Sequence, residues 1–162
     1  AVPVKEGDQI IPFINAEMQK GYDLVVATQD WHPATHKSFA SQHKGKKPFD
    51  VVQLNGIDQI LWPDHCVQGT FGAQLHKDLD IRPISAIFRK GMNSKIDSYS
   101  AFFDNNKLNN TGLHGFLQDK GITELVFCGL AGDFCVAYSA NDAKALGYEV
   151  KILENCVKYI NN

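Results

Sequence analysis

Short apolar runs alternate with amphipathic or polar stretches along the chain, and their lengths separate strands from helices. LVVAT at residues 24–28, AIFRK at 86–90, LVFC at 125–128 and EVKILE at 149–154 have strand length. Residues 134–146 carry a helical pattern that Gly147 stops, and a shorter helix is predicted over 113–120. Near the start, Asp8 reads as the N-cap of a helix running to about Gln19, with Pro12 in its first turn and Gly21 ending it. Strands alternating with helices predict a parallel α/β sheet, whose functional groups gather at the carboxyl ends of the strands.

Residues 29–79 read mostly as one long loop, rich in His, Pro, Gly, Lys and Asp, with Trp31 and Trp62 embedded in it. A loop of that length within a compact domain is usually functional. The chain opens on a helix with no strand before it and closes at YINN just past a strand. A layered α/β sheet needs cover on both faces, so the natural protein is expected to carry further elements.

With 162 residues, 44% of them hydrophobic, one domain over residues 1–162 is expected. The net charge of -2 provides no basic field for nucleic acid or anionic lipid. No apolar run approaches the roughly 20 residues that span a bilayer, and AVPVKEGDQ lacks the features of a signal peptide. Cys66, Cys128, Cys135 and Cys156 follow no CxxC or disulfide-framework spacing, which predicts reduced thiols and a cytoplasmic setting.

Cys135 falls in the first turn of the 134–146 helix, where unpaired N–H groups and the helix dipole favour a thiolate. The alternative is a small hydrophobe filling a strand–helix junction. The turn GLAGDFC could converge backbone N–H groups on an oxyanion, or its small residues could simply let the helix pack closely. Asp133 reads as a helix cap rather than a base. Lys90 ends the AIFRK strand, either as a solvated flank or as a charge that lowers a nearby thiol's pKa. In QDWHPATH, Asp30 and His32 are two apart in an extended segment and point the same way; WPDHC adds His65. Two histidines and one carboxylate with open positions suit a catalytic or substrate-binding divalent metal, although a DxH pair is also a common surface turn. His36, His43, His76 and His114 are assigned to the surface or to a shell behind the metal.

Taken together, AVPVKEGDQIIPFIN, TQDWHPATHKSFASQH, LWPDHCVQGTFGAQLH, FRKGMNSKIDSYSAFFDN and LAGDFCVAYSANDAKALGY resemble the nicotinamidase (pyrazinamidase) family of isochorismatase-like cysteine hydrolases. The resemblance covers essentially the whole chain. It implies a three-layer α/β sandwich with a mostly parallel, doubly wound, six-stranded sheet. It implies Cys135 as nucleophile on the carboxamide of nicotinamide or pyrazinamide, Lys90 as catalytic lysine, and Asp30, His32 and His65 as ligands of one divalent ion, zinc first, manganese or iron next. Trp62 and Tyr99 match pocket aromatics, and the Leu130–Ala131 bond matches a cis peptide that turns the Ala131 and Cys135 N–H groups into an oxyanion hole, with Leu130 beside the substrate. A homo-oligomer is compatible with it. Two departures stand out: Gly132 replaces the usual Thr, which would loosen the turn, and the family's general-base aspartate lies on a central strand upstream of residue 1. The competing expectations are a carbamoyl- or maleamate-type amidase of the same superfamily and a catalytically weak nicotinamide binder.

Overall fold

The computed structural model describes residues 2–161. In chain order, a 3-10 turn (Gly7–Ile10) runs into α1 (Ile11–Met18), followed by β1 (Val26–Asp30). The strands β2 (Val51–Leu54), β3 (Ile57–Ile60) and β4 (Ala86–Lys90) precede α2 (Leu113–Asp119) and β5 (Glu124–Gly129). A π turn (Gly132–Val136) leads into α3 (Ala137–Ala145) and then β6 (Glu149–Val157).

β1 and β4 pair in parallel from Val26 opposite Ala86 to Asp30 opposite Lys90, and β5 pairs in parallel with β6. Helices cover both faces. On one side Phe102, Leu113, Leu117, Ala143 and Tyr148 pack against Val26, Phe88, Leu125, Phe127 and Val150 of the strands. On the other, Ile10 and Ile14 meet Leu153 and Cys156 of β6. Val150 and Leu153, an odd number of residues apart on one strand, face opposite layers as pleating requires. Burial of a side chain such as Leu117 stabilises this arrangement by about 2–3 kcal/mol. The result is the three-layer α/β sandwich that the resemblance implies, built on the parallel pairing that the alternation of patterns predicts.

Among the described residues, β1 and β5 are each hydrogen-bonded along one edge only. Both line a cavity of about 1060 Å³, walled by apolar side chains including Ile14, Val26, Leu125, Phe127 and Leu153. Asp30, Lys90 and Cys135 lie at the polar end of this slot.

The structure corrects several expectations. Asp8 lies inside the 3-10 turn and caps nothing; Glu6, at φ 56, turns the chain instead, and Pro12 sits at the helix start. β1 runs two residues later than LVVAT, because pairing with β4 rather than hydrophobicity carries the strand through Gln29 to Asp30. The long loop contains an antiparallel hairpin, β2–β3, turning at Asn55 and Gly56 with φ of 52° and 83°. Asn-Gly between apolar runs is the strongest short hairpin signal, and VVQLNGIDQI carries it. Asp133 caps no helix either. Its carboxylate accepts the Ile160 and Asn161 N–H groups at 3.0 and 2.9 Å, tying the C-terminal segment to the π turn.

Candidate active site

Parallel pairing fixes the first contact. Asp30 and Lys90 are register partners at the carboxyl ends of β1 and β4, and their side chains form an ion pair of 2.6 Å. Lys90 is buried, and its Nζ also donates to the Ser98 carbonyl at 2.7 Å and to Cys135 Sγ at 3.5 Å. The three hydrogens of an ammonium thus have three acceptors. Burial works against the Lys90 charge, but the Asp30 carboxylate and Cys135 outweigh it and raise its pKa. Burial likewise pushes Asp30 up, and the Lys90 ammonium overrides it to hold the carboxyl below its usual range. The two are an ion pair, with Lys90 bridging the carboxylate to the sulfur.

Cys135 sits in the π turn after β5, half-buried. Burial pushes its thiol up to about 11, against the pull of Lys90. The Leu130–Ala131 peptide is cis, as the resemblance implied. Gly132 does not loosen the turn: a Cβ there would lie 2.5 Å from Tyr159 and 2.6 Å from Val157, so this backbone packs too closely for a side chain.

His32 and His65 stand edge to face, their ring centroids 4.9 Å apart. His32 Nδ1 lies 2.7 Å from the Gly91 carbonyl, and His65 Nδ1 lies 2.7 Å from the Pro63 carbonyl. A carbonyl accepts only, so both protons sit on Nδ1 and both Nε2 lone pairs are free. One ligand atom from each of Asp30, His32 and His65 falls within 4.8 Å of the others. Burial lowers the His65 pKa, which keeps this imidazole in the neutral form a cation requires. The donor set, two imidazoles and a carboxylate, fits a divalent transition ion or zinc.

Gly91 makes this orientation feasible. It has φ +66, and a Cβ there would lie 2.6 Å from His32 Nδ1 and closer still to Cε1. Gly91→Ala should displace the His32 ring and weaken Zn²⁺ binding by about 10-fold to 100-fold. Isothermal titration of the variant checks this, and unchanged affinity would mean that the Gly91 contact does not orient His32.

The pocket joining the two clusters has a volume of about 90 Å³ and is lined by Trp62, Tyr99, Leu130, Ala131, Phe134 and Cys135 together with Asp30, His32 and His65. Drug-sized ligands need roughly 300 Å³ or more, so the space suits a single small ring. The Trp62 indole N–H and the Gln59 amide donate to the Tyr99 hydroxyl at 3.0 and 2.8 Å, and Phe134 packs edge-on to Trp62 with centroids 4.8 Å apart. Every residue singled out for the site in the sequence is therefore in one place.

Of the two places expected for His36, the surface or a shell behind the metal, it takes the second: it is fully buried against the His32 ring, with centroids 4.6 Å apart. Asp97, buried and lining the pocket, was not anticipated. SKIDSYS reads as a polar loop, and its one signal was an acid within an otherwise uncharged run, DSYSAFF. By contrast, His43 and His114 are half-buried and His76 is exposed, as expected of residues outside the site.

A doubly covered parallel α/β sheet with a cysteine, a lysine and a carboxylate at its strand ends, beside a two-histidine, one-carboxylate cluster, has the parts that hydrolysis by a cysteine requires. The chain belongs to the isochorismatase family: the Isochorismatase domain model matches residues 13–162. It is 48% identical over 158 residues to the nicotinamidase of Acinetobacter baylyi, a match covering 98% of this chain and 73% of that protein. The solved Acinetobacter baumanii nicotinamidase/pyrazinamidase superposes with a TM-score of 0.95 at 44% identity, covering 100% of this chain and 77% of that one. A pyrazinamidase of Pyrococcus horikoshii, solved in complex with zinc, superposes at 0.76 with 34% identity, covering 98% and 77%.

Proposed function

We propose that this chain is a nicotinamidase, hydrolysing nicotinamide to nicotinate and ammonia, and pyrazinamide to pyrazinoate, in cytoplasmic NAD salvage. The observation that carries the reading is the Lys90 ammonium bridging Asp30 and Cys135 Sγ in the pocket that also holds His32 and His65. Cys135 attacks the carboxamide carbon, forming an S–C bond. The Ala131 and Cys135 N–H groups receive the oxyanion. Collapse breaks the C–N bond, the nitrogen takes the proton given up by the Cys135 thiol and leaves as ammonia, and water then hydrolyses the thioester to the acid and returns the thiol. Lys90 stabilises the negative charge that develops on the sulfur as its proton leaves, and holds Asp30 ionised. Trp62, Tyr99 and Leu130 wall the ring. A divalent cation held by Asp30, His32 and His65, with zinc the first candidate and manganese or iron fitting the same donors, would supply a Lewis-acid anchor for the pyridine nitrogen.

The test is ammonia release from nicotinamide by the purified protein, before and after chelation, with a carbamoyl amide and a maleamate in parallel. Release from nicotinamide that falls on chelation and returns with Zn²⁺ or Mn²⁺ is expected. Hydrolysis of only the other amides would overturn the reading.

A further inference from the structure

Behind the metal cradle lies a second group, His32, His36 and Asp97, all buried, with one ligand-type atom of each within 4.8 Å of the others. Its chemistry is different. His36 Nδ1 accepts the Ser38 backbone N–H at 3.1 Å, which places the ring proton on Nε2. His36 therefore has no lone pair left for a cation. Its Nε2 is buried and has no hydrogen-bond partner among the described residues. The acceptors on this side of the ring are the Ile96 backbone and, within 4.8 Å, the Asp97 carboxylate. That carboxylate takes the Ser98 N–H at 2.7 Å and forms no salt bridge among the described residues. A buried carboxyl with a single hydrogen bond is retained where polar or cationic neighbours face it, and its pocket holds His32 and His65.

We propose that Asp97 and His36 are positioning residues for the cation cradle: His36 packs against the His32 ring to hold its Nε2 toward Asp30 and His65, and the Asp97 charge strengthens the cradle's hold on a divalent cation. Besides the His65 ring at 4.9 Å, three contacts surround the His32 ring. His36 lies against it at 4.6 Å, Phe39 meets it edge-on at 5.5 Å, and the Gly91 carbonyl takes its Nδ1 proton. Asp97 lines the same pocket as His32, His65 and Cys135, so its carboxylate faces both halves of the site. The proposal rests on the reading of Asp30, His32 and His65 as cation ligands.

The test titrates Co²⁺ into metal-free protein, reading the visible d–d spectrum and the affinity by chelator competition for wild type, Asp97→Asn, His36→Phe and His36→Gln. Asp97→Asn, of nearly the same shape, should weaken Co²⁺ binding by about 10-fold to 100-fold and shift the spectrum. His36→Phe should do the same, while His36→Gln, which keeps an acceptor for Ser38 and a donor for Asp97, should stay closer to wild type. The melting temperature of each metal-free variant is recorded alongside. If melting falls but Co²⁺ affinity and spectrum match wild type, the residues serve only the fold and the proposal is overturned. If Asp97→Asn does not fold, the His36 pair decides by the same readouts. Failure of wild type itself to bind Co²⁺ would overturn the cradle reading instead, so the two failures are distinguishable.

Discussion

Replacing Cys135 with alanine should lower nicotinamide hydrolysis by about 10⁴-fold or more and leave nicotinamide binding in place. In the proposed mechanism the Cys135 sulfur, which contacts the Lys90 ammonium, forms the acyl intermediate, whereas Trp62 and Tyr99 wall the ring. Burial pushes the thiol up to about 11, and the Lys90 ammonium at 3.5 Å only partly offsets this. At pH 7 such a group is thiolate in only about one molecule in 10⁴, so the proton must leave during the attack. Sulfur reactivity should follow. Iodoacetamide labelling of Cys135, followed by peptide mass mapping, should climb about tenfold per pH unit from 7 toward 10, with no plateau near the ordinary thiol value of about 8.5. Equilibrium binding of nicotinamide to Cys135→Ala, set beside the ammonia assay, separates loss of chemistry from loss of the pocket. A variant that still releases ammonia at the wild-type rate would remove Cys135 from the mechanism.

Much of this site was legible because its parts lie at strand ends. AIFRK was bounded to the residue, since apolar residues and a terminal lysine mark a buried strand emerging at the sheet edge. Cys135 was placed by the change of period from strand to helix, although the junction is a π turn that no periodicity announces. Tertiary pairing was harder to read. β1 extends to Asp30 only because β4 offers a partner as far as Lys90. The burial of His36 depends on Asp97 and His32 closing around it, and Asp97 arrives from a loop 61 residues further along the chain. A histidine beside a known candidate looks the same in sequence whether it faces water or its neighbour's ring. The β2–β3 hairpin could have been found: Asn55-Gly56 is a local signal, hidden by reading the whole stretch as loop.

Asp30→Asn tests how far the two halves of the site depend on one carboxylate. One oxygen of Asp30 pairs with Lys90 at 2.6 Å, and the other lies 4.0 Å from His32 Nε2 on the cradle side. The substitution keeps the shape and removes the charge. Zn²⁺ affinity should fall by 100-fold or more, about 3 kcal/mol, because a neutral amide is a poor ligand for this ion. Hydrolysis should fall by at least about 10³-fold, since the buried Lys90 ammonium loses its counter-charge and supports the Cys135 thiolate less well. The metal-free protein should lose about 3–5 kcal/mol of stability at pH 7 through the unpaired ammonium. The acid limb carries the sign. Asp30 is held below its usual range, because the Lys90 ammonium overrides the upward push of burial. Its contribution to wild-type stability is therefore present above the unfolded value of about 3.9 and lost as pH falls through the lower folded value. Urea unfolding of metal-free protein between pH 5 and 2 should show that extra loss in wild type and not in Asp30→Asn. If both proteins lose stability in parallel, Asp30 does not carry the charge that Lys90 answers; if the variant still binds Zn²⁺ as tightly as wild type, Asp30 is not a ligand. Survival of either property alone would assign Asp30 to one half of the site, because a single charge serving both must lose both when it is removed.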